Sequence, residues 1–180
     1  MKAKLLTLGI ALVLVMAAVG TSAFTSATVE RQSNVDVVTD GSGLIGLEDG
    51  TSGPLISQNS TGALAIDLTN ASASGANVHA NFEFGDPSDP TNSSAFNITN
   101  NDGEQHEFSL EYTDIQSTAS DSPYLTFEVY DSTGSKIATI QDSGSDQFTL
   151  DAGETVHVVM IIDTGSDDTA DYSGTLRVAV

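Results

Sequence analysis

Short segments in which apolar and polar residues alternate make up most of this chain, and clusters of glycine, asparagine, aspartate, serine and proline separate them. A period of two puts one face of a strand in a core and the other face in water. Beyond residue 23, no long stretch carries apolar residues at helical spacing. About ten such segments follow one another, which predicts an all-β fold, an antiparallel β-sandwich or jelly roll.

Two kinds of local signal refine this prediction. The most apolar run, 156–162, is typical of a central strand. The sequence Asp-Ser-Thr-Gly at 131–134 predicts a hairpin turn between Val129 and Ile137, and Asn-Asp-Gly at 101–103 predicts a second turn.

The first 23 residues have the order of a secretory signal peptide. Two lysines precede an uncharged apolar run at 5–19, and small residues follow it up to Ala23. The run is short for a membrane span, which needs roughly 20 apolar residues, so we expect cleavage after Ala23 rather than retention as an anchor. The sequence thus predicts an N-terminal hydrophobic signal helix at 1–23 and a single β-sandwich domain at 24–180.

The charge of the chain is strongly one-sided, with 25 acidic and 5 basic side chains and a formal net charge of −20. Only Arg31, Lys136 and Arg177 remain basic after removal of the signal. This excludes a nucleic-acid binder that works by neutralising phosphates. It indicates a halophilic exterior, because about 1 M salt shortens the screening length to roughly 3 Å and relieves self-repulsion. Most carboxylates are therefore interpreted as a hydration surface.

The sequence carries no recognisable catalytic set. Cysteine is absent, which excludes disulfides, thiolate zinc sites and cysteine nucleophiles. His79, His106 and His157 have no partner at a metal-ligand or catalytic spacing. There is no Gly-x-Ser-x-Gly elbow, phosphate loop or dinucleotide fingerprint. We therefore predict a protein that is not an enzyme and has no catalytic or cofactor-binding residues.

Calcium is the one cofactor that the sequence suggests, and only weakly. Hard cations prefer clustered carboxylate and carbonyl oxygens, but the EF-hand spacing is missing. In a chain with 25 acids, clusters also arise without a metal. The candidate ligands are Asp163, Asp167, Asp168 and Asp171, which crowd one predicted loop, while Asp142 and Asp146 form a second, smaller group.

Four Asn-x-Ser/Thr sequons lie in or beside predicted loops and are candidate glycosylation sites in a secreted protein. A surface rich in serine, threonine and asparagine also produces sequons by chance. The candidates are Asn59, Asn70, Asn92 and Asn97.

The order of several segments is informative as a set. After the apolar signal come Gly-Thr-Ser-Ala-Phe-Thr-Ser-Ala at 20–27, Val-Glu-Arg-Gln-Ser-Asn-Val-Asp-Val-Val at 29–38, Asp40 and Leu-Ile-Gly-Leu-Glu at 44–48. This opening resembles that of an uncharacterised family of secreted haloarchaeal proteins. Later segments that resemble the same family are 96–103 followed by 108–110, then 148–156 and 172–178. The layout is also similar to the TasA and camelysin group of biofilm fibre proteins and to archaeal bundling pili.

The resemblance implies a jelly-roll subunit that polymerises by donor-strand exchange. Segment 24–38 is the candidate donor strand, since an added strand completes a neighbour's sheet through backbone hydrogen bonds and places alternate side chains in its pockets. The alternatives are that this segment pairs within its own sheet or stays disordered. The residues predicted to make the assembly strand are Phe24, Thr25, Ser26, Ala27, Thr28 and Val29.

Two classes of function follow. The first is a secreted, non-enzymatic structural protein, the subunit of an extracellular fibre or biofilm matrix, whose partner is a second copy of itself. The second is a monomeric cell-surface binding module for calcium or glycans, held at the membrane by an uncleaved signal segment. The size of the secreted protein in high salt distinguishes them.

Overall fold

Two antiparallel sheets that face each other form the core of the protein. The computed structural model describes residues 39–68, 77, 79–113, 125–165 and 174–180. A 3-10 turn, Asp40–Ser42, is the single helical element in those ranges. The strands are β1 (Ile45–Asp49), β2 (Ile56–Gln58), β3 (Leu64–Ile66), β4 (Asn81–Phe84), β5 (Phe96–Asn100), β6 (His106–Thr113), β7 (Leu125–Tyr130), β8 (Lys136–Gln141), β9 (Ser145–Leu150), β10 (Thr155–Asp163) and β11 (Thr175–Ala179).

The larger sheet has the strand order β1-β5-β10-β7-β8, and β4 pairs with the end of β10. The smaller sheet has the order β11-β6-β9, and β2 and β3 form a separate hairpin. Every pairing is antiparallel, which confirms the prediction of an all-β, sandwich-like protein. The predicted central position of the apolar run at 156–162 is also confirmed, because β10 pairs with β5 and β4 along one edge and with β7 along the other.

The core follows from the alternation. In β6, Phe108, Leu110 and Tyr112 are buried while the residues between them are more exposed. Aromatic rings then join the two sheets: Tyr112 of the smaller sheet lies 5.4 Å from Phe127 of the larger one, between ring centroids. Burial of such large apolar side chains supplies the main driving force for this fold.

Both predicted turns are present, and they have different topological roles. At 131–134, Asp131 accepts hydrogen bonds from the amides of Thr133 and Ser135, and the turn joins the paired strands β7 and β8. The turn at 101–103 instead carries the chain from β5 in one sheet to β6 in the other. The buried side chain of Asn100 stabilises this crossing by donating to the carbonyls of Glu104 and Leu150.

Strand β2 was not predicted from the sequence. It has three residues and a single apolar one, Ile56, which is too short for an alternation to be recognised. Several other predictions lie outside the described residues: the signal segment 1–23, the donor segment 24–38, Asn70, Asp167, Asp168 and Asp171. In the described ranges, no helix has the length and hydrophobicity needed to span a bilayer.

Candidate functional site

An open groove of about 340 Å³ is lined by residues from all three sheets. Leu47 comes from β1, Leu64 and Ile66 from β3, and Leu176 and Val178 from β11. Each of these side chains is half-buried and packs against the core. Among the described residues, the groove therefore presents apolar surface that is only partly covered.

The β2–β3 hairpin forms a wall that is held in place by specific hydrogen bonds. The carboxylate of Asp40 accepts from the Leu64 amide at 2.9 Å, and the Asp40 amide donates to the Gly62 carbonyl at 3.2 Å. On the other side of the hairpin, Gln58 Nε2 donates to the Leu47 carbonyl at 3.0 Å. Because these bonds tie the hairpin to the 3-10 turn and to β1, the wall is part of the folded domain.

Gly174 allows the chain to enter β11 close to the ring of Tyr112, which also lines the groove. A Cβ atom at position 174 would lie 2.6 Å from Tyr112 Cε1 and still closer to the Thr113 carbonyl oxygen. A side chain at this position would push β11 away from β6, so glycine is needed for the close approach.

Within the described ranges, β11 is an edge strand, since it pairs with β6 on one side only. Edge strands of natural proteins usually carry charges, bulges or covers that prevent another strand from pairing. β11 has one charged residue, Arg177, between the half-buried Leu176 and Val178. The groove thus combines an apolar surface with an adjacent unpaired edge.

Of the four predicted calcium ligands, only Asp163 lies among the described residues. This residue is exposed at the end of β10, and its Oδ1 accepts from the Gly165 amide at 3.1 Å. In the part of the chain that the structure describes, no three histidine or acidic side chains are grouped in a way that would hold a metal ion.

The second acidic pair has structural roles. Asp142 Oδ1 accepts from the Leu125 amide at 3.2 Å. Asp146 on β9 accepts from the amide of Gln147 and from the amide of Thr139 on β8. These carboxylates satisfy backbone donors at strand ends and edges, where a lost partner would cost stability.

The three sequons in the described ranges differ in their environment. Asn59 is exposed in the β2–β3 turn, and its Oδ1 accepts from Thr61 and from the Ala63 amide. Asn92 is exposed but uses its Nδ2 to donate to Asp89 Oδ1 at 2.8 Å. Asn97 is half-buried on the inner strand β5, where its Oδ1 faces Ser94 Oγ at 2.9 Å and His157 Nδ1 at 2.8 Å.

The histidines are dispersed, and two of them have local partners. His106 Nε2 contacts Asp102 Oδ2 at 2.6 Å, and this hydrogen bond lowers the pKa of the Asp102 carboxyl. His157 lies on the outer face of β10, as predicted, and partial burial lowers its pKa.

On the outer face of the larger sheet, Glu128 accepts from Lys136 Nζ at 2.8 Å and from the Tyr130 hydroxyl at 2.5 Å. Burial alone would raise the pKa of Glu128, but the hydrogen bonds from Lys136 and Tyr130 outweigh it and lower the pKa. The pKa of Tyr130 is raised by burial and by its hydrogen bond to Glu128. This cluster ties β7 to β8.

The groove could not be predicted from the sequence, because the residues that line it are spread from Asp40 to Val178 and meet only through the sheet topology. The one local signal was the alternation of Leu176, Val178 and Val180 in the last strand, which marked an apolar face without showing what lies opposite. Comparison with protein-family models finds no match, and comparison with curated proteins finds no significant match.

Proposed function

We propose that this protein is the subunit of an extracellular filament or biofilm matrix that assembles by donor-strand exchange. The donor is segment 24–38 at the start of the mature chain, and the acceptor is the groove beside β11 of the next copy. The sandwich is then a jelly roll that the incoming strand completes.

The observation that supports this function is the edge of β11, which no further strand of the described residues pairs, beside apolar, half-buried walls. On a monomer, such an edge is an aggregation liability. An incoming strand would satisfy the backbone groups of the edge and cover Leu47, Leu64 and Ile66. A head-to-tail contact of this kind does not close on itself, so it propagates a filament.

The acidic composition is compatible with assembly in brine. Copies that carry 25 acidic side chains each would repel one another in dilute salt. At about 1 M salt the screening length of roughly 3 Å leaves mainly contact-range interactions, so apolar burial in the groove dominates.

Negative-stain microscopy and sedimentation of the secreted wild-type protein in molar salt test this function. We expect filaments with a regular subunit repeat. A monomer at every concentration would instead favour a surface binding module, and retention of residues 1–23 in its intact mass would support that reading.

A further inference from the structure

Three Asp-Gly pairs occur in the chain, at 40–41, 49–50 and 102–103. In such a pair the glycine amide nitrogen can attack the side-chain carbon of the aspartate and close a five-membered imide ring. Glycine favours this attack because it has no Cβ to hinder the approach. The amide must also face the carboxylate, so the folded structure decides which of the three pairs is placed to react.

In the pair at 102–103, the amide does face the carboxylate. The Gly103 amide donates to Asp102 Oδ1 at 2.6 Å, so the side-chain carbon Cγ lies one bond beyond the contact. Nothing lies within 4 Å of the Cβ position of Gly103, which leaves room for a ring at the tip of the turn.

The other two pairs are held in different arrangements. In the first, the carboxylate of Asp40 accepts from the Leu64 amide at 2.9 Å. In the second, the Gly50 amide donates to the Ala95 carbonyl at 3.0 Å, which commits it to a partner other than the carboxylate before it. The chain therefore contains two internal controls with the same dipeptide.

The buried side chain of Asn100 fixes the turn on both sides of the reacting atoms. Its Oδ1 accepts from the Asp102 amide at 3.0 Å, and its Nδ2 donates to the Glu104 carbonyl at 2.8 Å. Holding two reacting groups in contact removes much of the entropic cost of bringing them together.

His106 contacts the other oxygen of the same carboxylate, with Nε2 2.6 Å from Asp102 Oδ2. This hydrogen bond lowers the pKa of the Asp102 carboxyl, so the carboxylate form predominates and a proton must be supplied before an oxygen can leave. The imidazolium form of the histidine supplies such a proton directly. The side chains of His106 and Asp102 are 31% and 44% exposed, so water reaches the site.

We propose that Asp102 and Gly103 close to a succinimide in the folded protein, with His106 as proton donor, and that the ring opens to isoaspartate. The Gly103 nitrogen bonds to Asp102 Cγ, and the Cγ–Oδ2 bond breaks. Oδ2 takes the amide proton and the Nε2 proton and leaves as water, so carboxylate and imidazolium both become neutral. Water then adds to one imide carbonyl: addition at the main-chain carbon gives isoaspartate, and addition at Cγ restores aspartate.

The product changes the path of the main chain. In isoaspartate the chain runs through Cβ and Cγ of residue 102, which lengthens the turn by one atom. This turn carries the chain from β5 in one sheet to β6 in the other. Each copy therefore accumulates with time a covalent change at a crossing between the sheets.

The first experiment follows the full-length wild-type protein in molar salt at mildly acidic pH. Peptide mass spectrometry detects the imide as a loss of one water, and resistance to an aspartate-specific protease detects isoaspartate. We expect isoaspartate at 102 to exceed that at 40 and 49 by about tenfold or more. In denaturant the three pairs should react at similar rates. Equal rates in the folded protein, or the same preference for 102 in denaturant, would overturn the inference.

The second experiment separates the glycine from the histidine. Gly103→Ala should slow the reaction about tenfold, because the methyl group hinders the approach of the amide. His106→Gln keeps a side-chain donor without an ionisable proton and should also slow it about tenfold. Circular dichroism checks that both variants are folded. An unchanged rate in Gly103→Ala would overturn the imide path, and an unchanged rate in His106→Gln would overturn the role of the histidine.

A further internal control has the same contact without glycine. The Gln147 amide donates to Asp146 Oδ1 at 2.8 Å, and we expect no isoaspartate there, since glutamine carries a side chain. Isoaspartate at 146 as abundant as at 102 would overturn the requirement for glycine. All these measurements are made on peptides, whether or not the protein forms filaments, so this inference and the proposed function fail separately.

Discussion

The two lateral edges of the sandwich are built differently. At one edge, β8 and β9 are consecutive strands of opposite sheets, and Asp146 of β9 accepts from the Thr139 amide of β8 at 3.0 Å. A register shift at Val129/Tyr130 and the ion pair of Lys136 with Glu128 lie beside it. At the other edge, β1 and β11 are separated by the β2–β3 hairpin and the open groove.

Among the described residues, this difference means that one edge is protected and the other is not paired by a further strand. A bulge, a lysine and a side chain that satisfies a backbone amide are the devices that prevent strand addition. All three occur at the β8–β9 edge, which we call the closed edge. The β11 edge, which we call the open edge, has one charged residue, Arg177, between the half-buried apolar residues Leu176 and Val178.

We expect the salt concentration to have the largest effect, because it changes the stability of the whole domain and therefore of both edges. Outside residues 1–23 the chain has 25 acidic side chains against Arg31, Lys136 and Arg177, so lower salt increases its self-repulsion. We expect circular dichroism to show loss of the fold between molar and millimolar salt. Equal stability at both ends of the titration would contradict the halophilic interpretation.

Truncation of one apolar side chain near each edge compares the packing of the two edges. Phe148 of β9 is 6% exposed and stacks on Phe108, so Phe148→Ala should cost about 3–5 kcal/mol. Leu176 of β11 is only half-buried, and Leu176→Ala should cost about 1 kcal/mol in the monomer. Denaturant unfolding in high salt measures both, and similar losses would mean that the open edge is already covered.

The close approach at the start of β11 is tested by Gly174→Ala. Its added methyl group meets the Thr113 carbonyl and the Tyr112 ring, and we expect a loss of about 1–3 kcal/mol and weaker filaments. Gly103→Ala is the control, because nothing lies within 4 Å of its Cβ position, and it should stay within about 0.5 kcal/mol of wild type. A neutral Gly174→Ala would show that β11 shifts freely.

The smallest effect concerns acid at the closed edge. The pKa of Glu128 is lowered in the folded protein from its usual 4.5, so its contribution to stability is present above pH 4.5 and is lost as the pH falls through the folded value. Glu128→Gln should lower the free energy of unfolding by less than about 1 kcal/mol at pH 7. It should also make the free energy of unfolding fall less steeply as the pH is lowered. Glu104→Gln is the charge-matched control, and an identical change in both variants would exclude a specific role for Glu128.

The sequence by itself determined the all-β class, most of the strands and the turns at 101–103 and 131–134. Alternation in 106–113, 125–130 and 155–163 is a local property that the chain retains in any tertiary arrangement, so it predicts strands reliably. The turn at 131–134 could be predicted equally well, because the residues that form it are local. Asp131 accepts from the Ser135 amide, and Gly134 adopts the positive φ of the turn. The acidic composition likewise requires no structure to be interpreted.

The tertiary structure alone decided which edges are protected and where the groove lies. Leu47, Leu64 and Leu176 are far apart in the chain and become neighbours only after β1, β3 and β11 find their partners. Strand pairing depends on long-range contacts that alternation does not encode, since the same apolar face packs equally well against several partners. The sequence therefore predicts that a strand such as β11 exists, whereas the assembled sheets determine whether its edge is free.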